Sequence, residues 1–200
     1  MLTPQQAQDQ LQIAAGLNPG GWILHSRSVA QNAQQIALHA GMDAGRAYIF
    51  GLLHDIGRRA GVTGILHLFD GYDYMMALGE DAIARICLTH SFPVPDVRHF
   101  SGKIDCTPAQ LDFLKRYLHD HPFDDYDRLI QLCDAISLPQ GACIVEKRLV
   151  DVALRHGVFE GMLDKWRAFL NLKKYFDRKC GCSIYSFLDN VLENSSADLV

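Results

Sequence analysis

The chain has 200 residues, 48% of them hydrophobic and 21% charged, with a formal net charge of −4. That composition fits one sizeable folded core and excludes a disordered or low-complexity protein, and the acidic balance argues against a nucleic-acid polymer as partner, which calls for a basic patch or stripe. No apolar stretch reaches the roughly 20 residues of a membrane span, and the start Met1-Leu2-Thr3-Pro4-Gln5-Gln6 lacks the basic and apolar regions of a signal peptide. The expectation is a single domain over 1–200, cytoplasmic and without membrane attachment.

In chain order, Thr3-Pro4 is a helix start, a capping residue before a proline at the first helical position. It opens a predicted helix over 4–16 that Asn18-Pro19-Gly20-Gly21 ends. Helical periodicity then predicts 22–40, 43–56, 67–78, 80–90, 107–119, 124–137, 142–156, 160–179 and 184–193. Strand signals are scarce, so the predicted fold class is all-α.

Three of these helices carry polar residues where the pattern demands apolar ones. In the first, the stripe Trp22, His25, Val29, Ala33, Ile36 has one polar member, His25. In the second, Ala47, Gly51, His54 and Asp55 share a face. In the third, Asp134 interrupts the core-like segment Leu129 to Ile136. A buried carboxylate costs several kcal/mol unless it is paired, hydrogen-bonded or metal-bound. A divalent cation resolves all of these intrusions at once, since imidazole and carboxylate are ligands that iron, manganese, nickel and zinc accept. A structural zinc site would instead favour a closed Cys and His set with local spacing.

The strings His25-Ser26-Arg27-Ser28-Val29-Ala30 and Leu52-Leu53-His54-Asp55-Ile56-Gly57, followed by Asp134, resemble the HD-domain superfamily of metal-dependent phosphohydrolases. The resemblance covers roughly 20–157, leaving 158–200 as a C-terminal helical extension. It implies a helical bundle in which His25, His54, Asp55 and Asp134 hold a divalent transition metal that activates water against a phosphate ester. The pattern is nearest to the bacterial dinucleoside-polyphosphate hydrolases. In two-metal branches of the superfamily, histidines placed like His67 and His90 bind the second ion. His90 also faces inward on its own helix, sharing a face with Ile83, Ile86 and Cys87. With two ions Asp55 becomes the bridge, because one carboxylate can span two ions and one imidazole nitrogen cannot. One ion or two stays open, as does the metal's identity.

Asp55 and Arg58 are the expected catalytic residues, and Arg58, Arg27 and Lys103 the expected cations for an anionic substrate. The irregular stretch 92–107 follows His90 directly and is expected to form a rim or lid. Cys87, Cys106, Cys133 and Cys143 read as reduced packing residues, and Cys180-Gly181-Cys182 as a helix-ending turn. His119-Asp120-His121-Pro122 reads as a solvated loop, and the cluster Lys173, Lys174, Arg178, Lys179 as a solvated helix face. The functional expectation is hydrolysis of a small phosphorylated substrate of nucleotide or dinucleotide type. A non-catalytic nucleotide-binding module and a di-iron oxygenase of the same fold share the ligands and remain alternatives. The sequence carries no base-reading motif and leaves oligomeric state open.

Overall fold

The computed structural model describes residues 1–196, so residues 197–200 of the predicted extension lie outside the described residues. The chain forms α1 (Pro4–Leu17), α2 (Trp22–His39), α3 (Ala44–Leu53), α4 (Leu66–Ala77), α5 (Asp81–Thr89), α6 (Pro108–Asp120), α7 (Asp125–Ile136), α8 (Val145–His156), α9 (Met162–Cys180) and α10 (Val191–Ser196). A two-stranded antiparallel hairpin, β1 (Ser137–Leu138) and β2 (Gly141–Ala142), joins α7 to α8 with Ser137 opposite Ala142. The all-α expectation therefore holds. No helix among the described residues is long and apolar enough to cross a membrane.

Local chemistry sets several helix starts. Thr3 and Gln6 form a reciprocal capping box ahead of α1, Thr107 and Gln110 repeat it ahead of α6, and Asp124 with Asp127 does so for α7. The main core lies between α2, α3, α7 and α9, around Ala33, Ile36, Phe50, Leu53, Ile130 and Phe176. A smaller cluster of Ile65, Leu68, Phe92, Leu114 and Leu118 sits beneath α4 and α6. The α2–α3 contact is close because Gly51 has no side chain: a Cβ there would come within 2.7 Å of Ala30 Cα. Through this contact α3 presents its C-terminal end beside His25.

Some predicted boundaries change. The helix expected over 43–56 ends at Leu53; His54 and Asp55 form a turn, and residues Ile56–Ala60 continue as a 3-10 helix. The helix expected over 142–156 starts at Val145, since the hairpin occupies the preceding residues. The helix expected over 184–193 is instead a 3-10 turn, Ile184–Ser186, followed by α10. Between them Asn190 adopts φ 56, a left-handed value incompatible with a helix interior. The basic cluster is not simply a solvated face: Lys179 pairs with Asp125 of α7, which ties α9 to the bundle, and Lys173 pairs with Asp177 within α9 itself.

Other expectations agree with the structure. Gly181 ends α9 at φ 73, and the six cysteines are free. His119 and His121 are exposed as expected, although His119 and Asp120 are the last residues of α6 and not part of a loop.

Candidate metal centre

Six ligand-type side chains from separate parts of the fold converge. α2 brings His25, the turn after α3 brings His54 and Asp55, the first turn of α4 brings His67, the end of α5 brings His90, and α7 brings Asp134. The break in α3 matters here. Adjacent residues of an unbroken helix diverge by about 100°, whereas the turn at Asp55 (φ −102°, ψ 16°) lets both side chains of the pair face the same space.

The distances fall into two connected groups. His25 Nε2 lies 2.9 Å from Asp134 Oδ1, and His54 Nε2 lies 3.9 Å from that oxygen. Asp55 divides its oxygens: Oδ1 is 3.2 Å from His67 Nε2 and 3.5 Å from His90 Nε2, while Oδ2 is 3.8 Å from His54 Nε2 and 2.5 Å from Arg58 Nε. Ligand atoms of three triads lie within 4.8 Å of one another: His25, His54 and Asp55; His54, His90 and Asp134; Asp55, His67 and His90. Asp55, His54 and His90 each belong to two triads, so the geometry accommodates either one ion or two.

The tautomers follow from backbone hydrogen bonds. Nδ1 of His54 donates to Gly51 O at 2.7 Å, Nδ1 of His67 to Gly64 O at 2.5 Å, and Nδ1 of His90 to Ile86 O at 3.1 Å. Each ring therefore turns an Nε2 lone pair towards the shared space, the arrangement in which imidazole ligates a metal. Burial pushes His54 down to about 4, against the opposing charges of Asp55 and Asp134, and burial also lowers His67. Burial alone would raise the Asp55 carboxyl, but Arg58 above all, with His54 and the adjacent rings of His67 and His90, outweighs it and holds Asp55 well below the usual carboxylate range. The same contest at Asp134, with His25 as the main partner, ends with the carboxyl lowered. Two anionic carboxylates thus face the neutral imidazoles of His54 and His67.

These residues fit a divalent cation. His54 Nε2, Asp55 Oδ1 and His67 Nε2 are buried polar atoms without a hydrogen-bond partner, and such orphans call for an explanation. Cations held by the triads would satisfy all three, His54 in one triad and His67 in another, with Asp55 in both.

Further residues hold the ligands in place. Asp105, from the stretch after α5, accepts hydrogen bonds from Gly64 N (2.6 Å) and Leu66 N (3.0 Å), capping the start of α4 beside His67. Buried Asp127 of α7 accepts from Thr89 Oγ1 at 2.7 Å and pairs with Arg85 at 2.6 Å, and Gln131 Nε2 donates to Thr89 O at 3.1 Å. The end of α5, and with it His90, is thereby bracketed by α7. The 3-10 helix after Asp55 lies against α4 because residue 57 is glycine; a Cβ there would come 1.9 Å from His67 O. None of these supports stood out in the sequence: Asp105 and Asp127 look like ordinary surface or capping carboxylates until their distant partners are known.

The ligands open into a cavity of about 660 Å³. Arg58 lines it with its guanidinium held on Asp55, and Ser91, Phe100 and Ser101 contribute the expected rim. Arg27 and Lys103, expected as substrate cations, are both exposed and outside the cavity lining. Arg27 lies two residues beyond His25 and so projects from a different face of α2. Lys103 contributes its backbone carbonyl, which accepts from Ile65 N at 2.8 Å, while its side chain stays in solvent. The far wall comes from α8 and α9, with Arg148, Arg155, Lys165 and Trp166. None of these cations was expected from the sequence, and Lys165 is the buried one; a single lysine on an amphipathic helix gives no signal that it will be buried.

Comparison with known proteins agrees with this geometry. The family model described as HD domain matches residues 22–138, more than half of the chain. Comparisons with curated proteins and with solved structures each returned no match. The matched span runs from the start of α2 through α7 and contains all six convergent ligands; the chain belongs to the HD-domain family, within the superfamily of metal-dependent phosphohydrolases.

Proposed function

We propose that this protein hydrolyses a small phosphate ester of nucleotide or dinucleotide type, in the manner of the dinucleoside-polyphosphate hydrolase branch that its motif resembles. The observation that carries this reading is the set of three buried, partnerless ligand atoms amid six convergent His and Asp side chains. His25, His54, Asp55 and Asp134 would hold one ion, and His67 and His90 would share Asp55 with a second. When bound, the metal lowers the pKa of a water and neutralises phosphoryl charge.

The chain's own contribution is positioning. Asp55 is fixed by Arg58 on one oxygen and meets His67 and His90 through the other. Arg58 brings a guanidinium to the cavity beside that carboxylate, where it would oppose charge developing on the phosphoryl oxygens. His54 and His67 are kept neutral by burial and, like His90, are oriented by backbone carbonyls, so these ligands need no reorganisation. Trp22, Phe100 and Trp166 add apolar surface to the same cavity, suited to the organic part of an ester. The net charge of −4 and the concave shape of the site support a small substrate over a nucleic-acid polymer.

The test is release of inorganic phosphate or nucleotide from nucleoside mono-, di- and triphosphates and dinucleoside polyphosphates, using metal-loaded protein alongside the chelated form. Metal-dependent turnover of at least one class is expected. Failure across the panel, together with oxygen consumption by the iron-loaded protein, would replace hydrolysis by oxygenase chemistry.

A further inference from the structure

Lys165 sits in the first turn of α9, outside the span that the family model matches, and is only 8% exposed. It lines the same cavity as His25, Asp55 and Asp134. Its ammonium donates a hydrogen bond to Ser101 Oγ at 3.0 Å, and no carboxylate oxygen comes within 4.0 Å of it among the described residues. The neighbouring cations differ: Arg148 and Arg155 both grip the Asp151 carboxylate, at 2.5 and 2.8 Å. Lys165 is thus a buried positive charge whose partners are a neutral hydroxyl and, 5.9 Å from its ammonium, the ring of Phe169, neither of them an anion.

Energetics make that arrangement unlike a structural one. A hydrogen bond returns about 1 kcal/mol net, whereas taking an ammonium out of water costs several kcal/mol. Burial accordingly lowers Lys165 to about 8, and the nearby charge of Asp134 only partly offsets this. With Asp134 committed to a cation at the centre, less of that support remains. The ammonium is kept in the cavity without a counter-anion of its own, beside a centre suited to phosphate.

Resting on the phosphoester reading of this site, we propose that Lys165 and Ser101 form an anion subsite for a second phosphate of the substrate, one not held at the metal centre. The substrate class then narrows to esters bearing a diphosphate or longer chain. Ser101 belongs to the rim after α5 and Lys165 to α9, so the subsite also joins the rim to the C-terminal wall. Lys165 acts here as a specificity-determining residue and does not touch the metal ligands.

The experiment is calorimetric titration of metal-loaded wild type, Lys165→Met and Lys165→Arg with orthophosphate and with pyrophosphate, measuring bound metal and melting temperature before and after. Pyrophosphate affinity should fall at least about tenfold in Lys165→Met, as for loss of a charge-assisted contact, and orthophosphate affinity by less than about threefold. Lys165→Arg should recover most of the pyrophosphate affinity, and metal content and melting temperature should hold in both variants. Unchanged pyrophosphate affinity, parallel loss of both anions, or a Lys165→Met protein that fails to fold or loses metal would each overturn the subsite, the last by assigning Lys165 to the framework. Absence of turnover by wild type would defeat the hydrolase reading yet leave this result legible, because the titration reads binding alone.

Discussion

His67 Nε2 stands 3.2 Å from Asp55 Oδ1, while the other oxygen of the same carboxylate is held by Arg58 at 2.5 Å. One side chain therefore offers separate oxygens to the two halves of the site. Asp55→Ala should reduce hydrolysis by orders of magnitude and bring bound metal to near zero, because both candidate ion positions lose a ligand. Far-UV circular dichroism should stay close to wild type, since Asp55 lies in a turn and no helix interior is altered. Retained turnover with retained metal would contradict the role.

Replacing His67 or His90 with alanine separates ligand from substrate contact. As ligands of a second ion, each replacement should lower bound metal from about two equivalents towards one, with a large loss of kcat. As contacts to substrate phosphate, they should leave metal content constant and change KM or kcat alone. The first outcome is expected, because both Nε2 atoms face Asp55 Oδ1 and both Nδ1 atoms are already committed to backbone carbonyls.

Close backbone approach makes Gly57 a second kind of test. Gly57→Ala places a Cβ 1.9 Å from His67 O, so the 3-10 helix must move away from α4. A cost of about 1–3 kcal/mol is expected from such overpacking, together with weaker metal binding as Asp55 and His67 separate. Gly16→Ala in α1 is the control: nothing lies within 4 Å of the added Cβ, and a stability gain of up to about 1 kcal/mol is expected there. Thermal melts with metal quantification check both variants.

The metal-free protein should lose stability as pH falls. His54 titrates near 6.5 when unfolded and is pushed down to about 4 in the fold by burial, against Asp55 and Asp134 and with help from His90 and His25. Between those values the unfolded chain binds a proton that the folded chain refuses, so the unfolded state gains. His67 is shifted in the same direction. Stability contributed by the neutral imidazoles is thus present above about pH 6.5 and declines towards pH 4. Melting temperatures of chelated protein that stay flat over this range would refute the neutral, buried state of the cluster.

Much of the site was legible in the sequence because its chemistry violates the pattern around it. His25, His54 with Asp55, and Asp134 are polar residues on apolar helix faces, and the helical spacing that buries them could be read without coordinates. His90 was legible for the same reason. What sequence could not supply was long-range placement. Arg27 and Lys103 had the right charge near the right motif but project into solvent, whereas Lys165, a buried cation that does line the cavity, lies more than 100 residues from the HD pair along the chain. The helix predicted over 43–56 failed at the point where function intrudes. Apolar periodicity continues through Ile56, but His54 and Asp55 form a turn that aims both side chains at one place. The hairpin before α8 and the break at Asn190 depend on backbone conformations that periodicity does not report.

Whether the six side chains form a transition-metal centre is decided by elemental analysis of protein purified under anoxic, reducing conditions. At least one equivalent of iron, manganese, nickel or zinc per chain is expected, and about two if His67 and His90 hold a second ion. Less than about a tenth of an equivalent, even after reconstitution with each metal in turn, would contradict it.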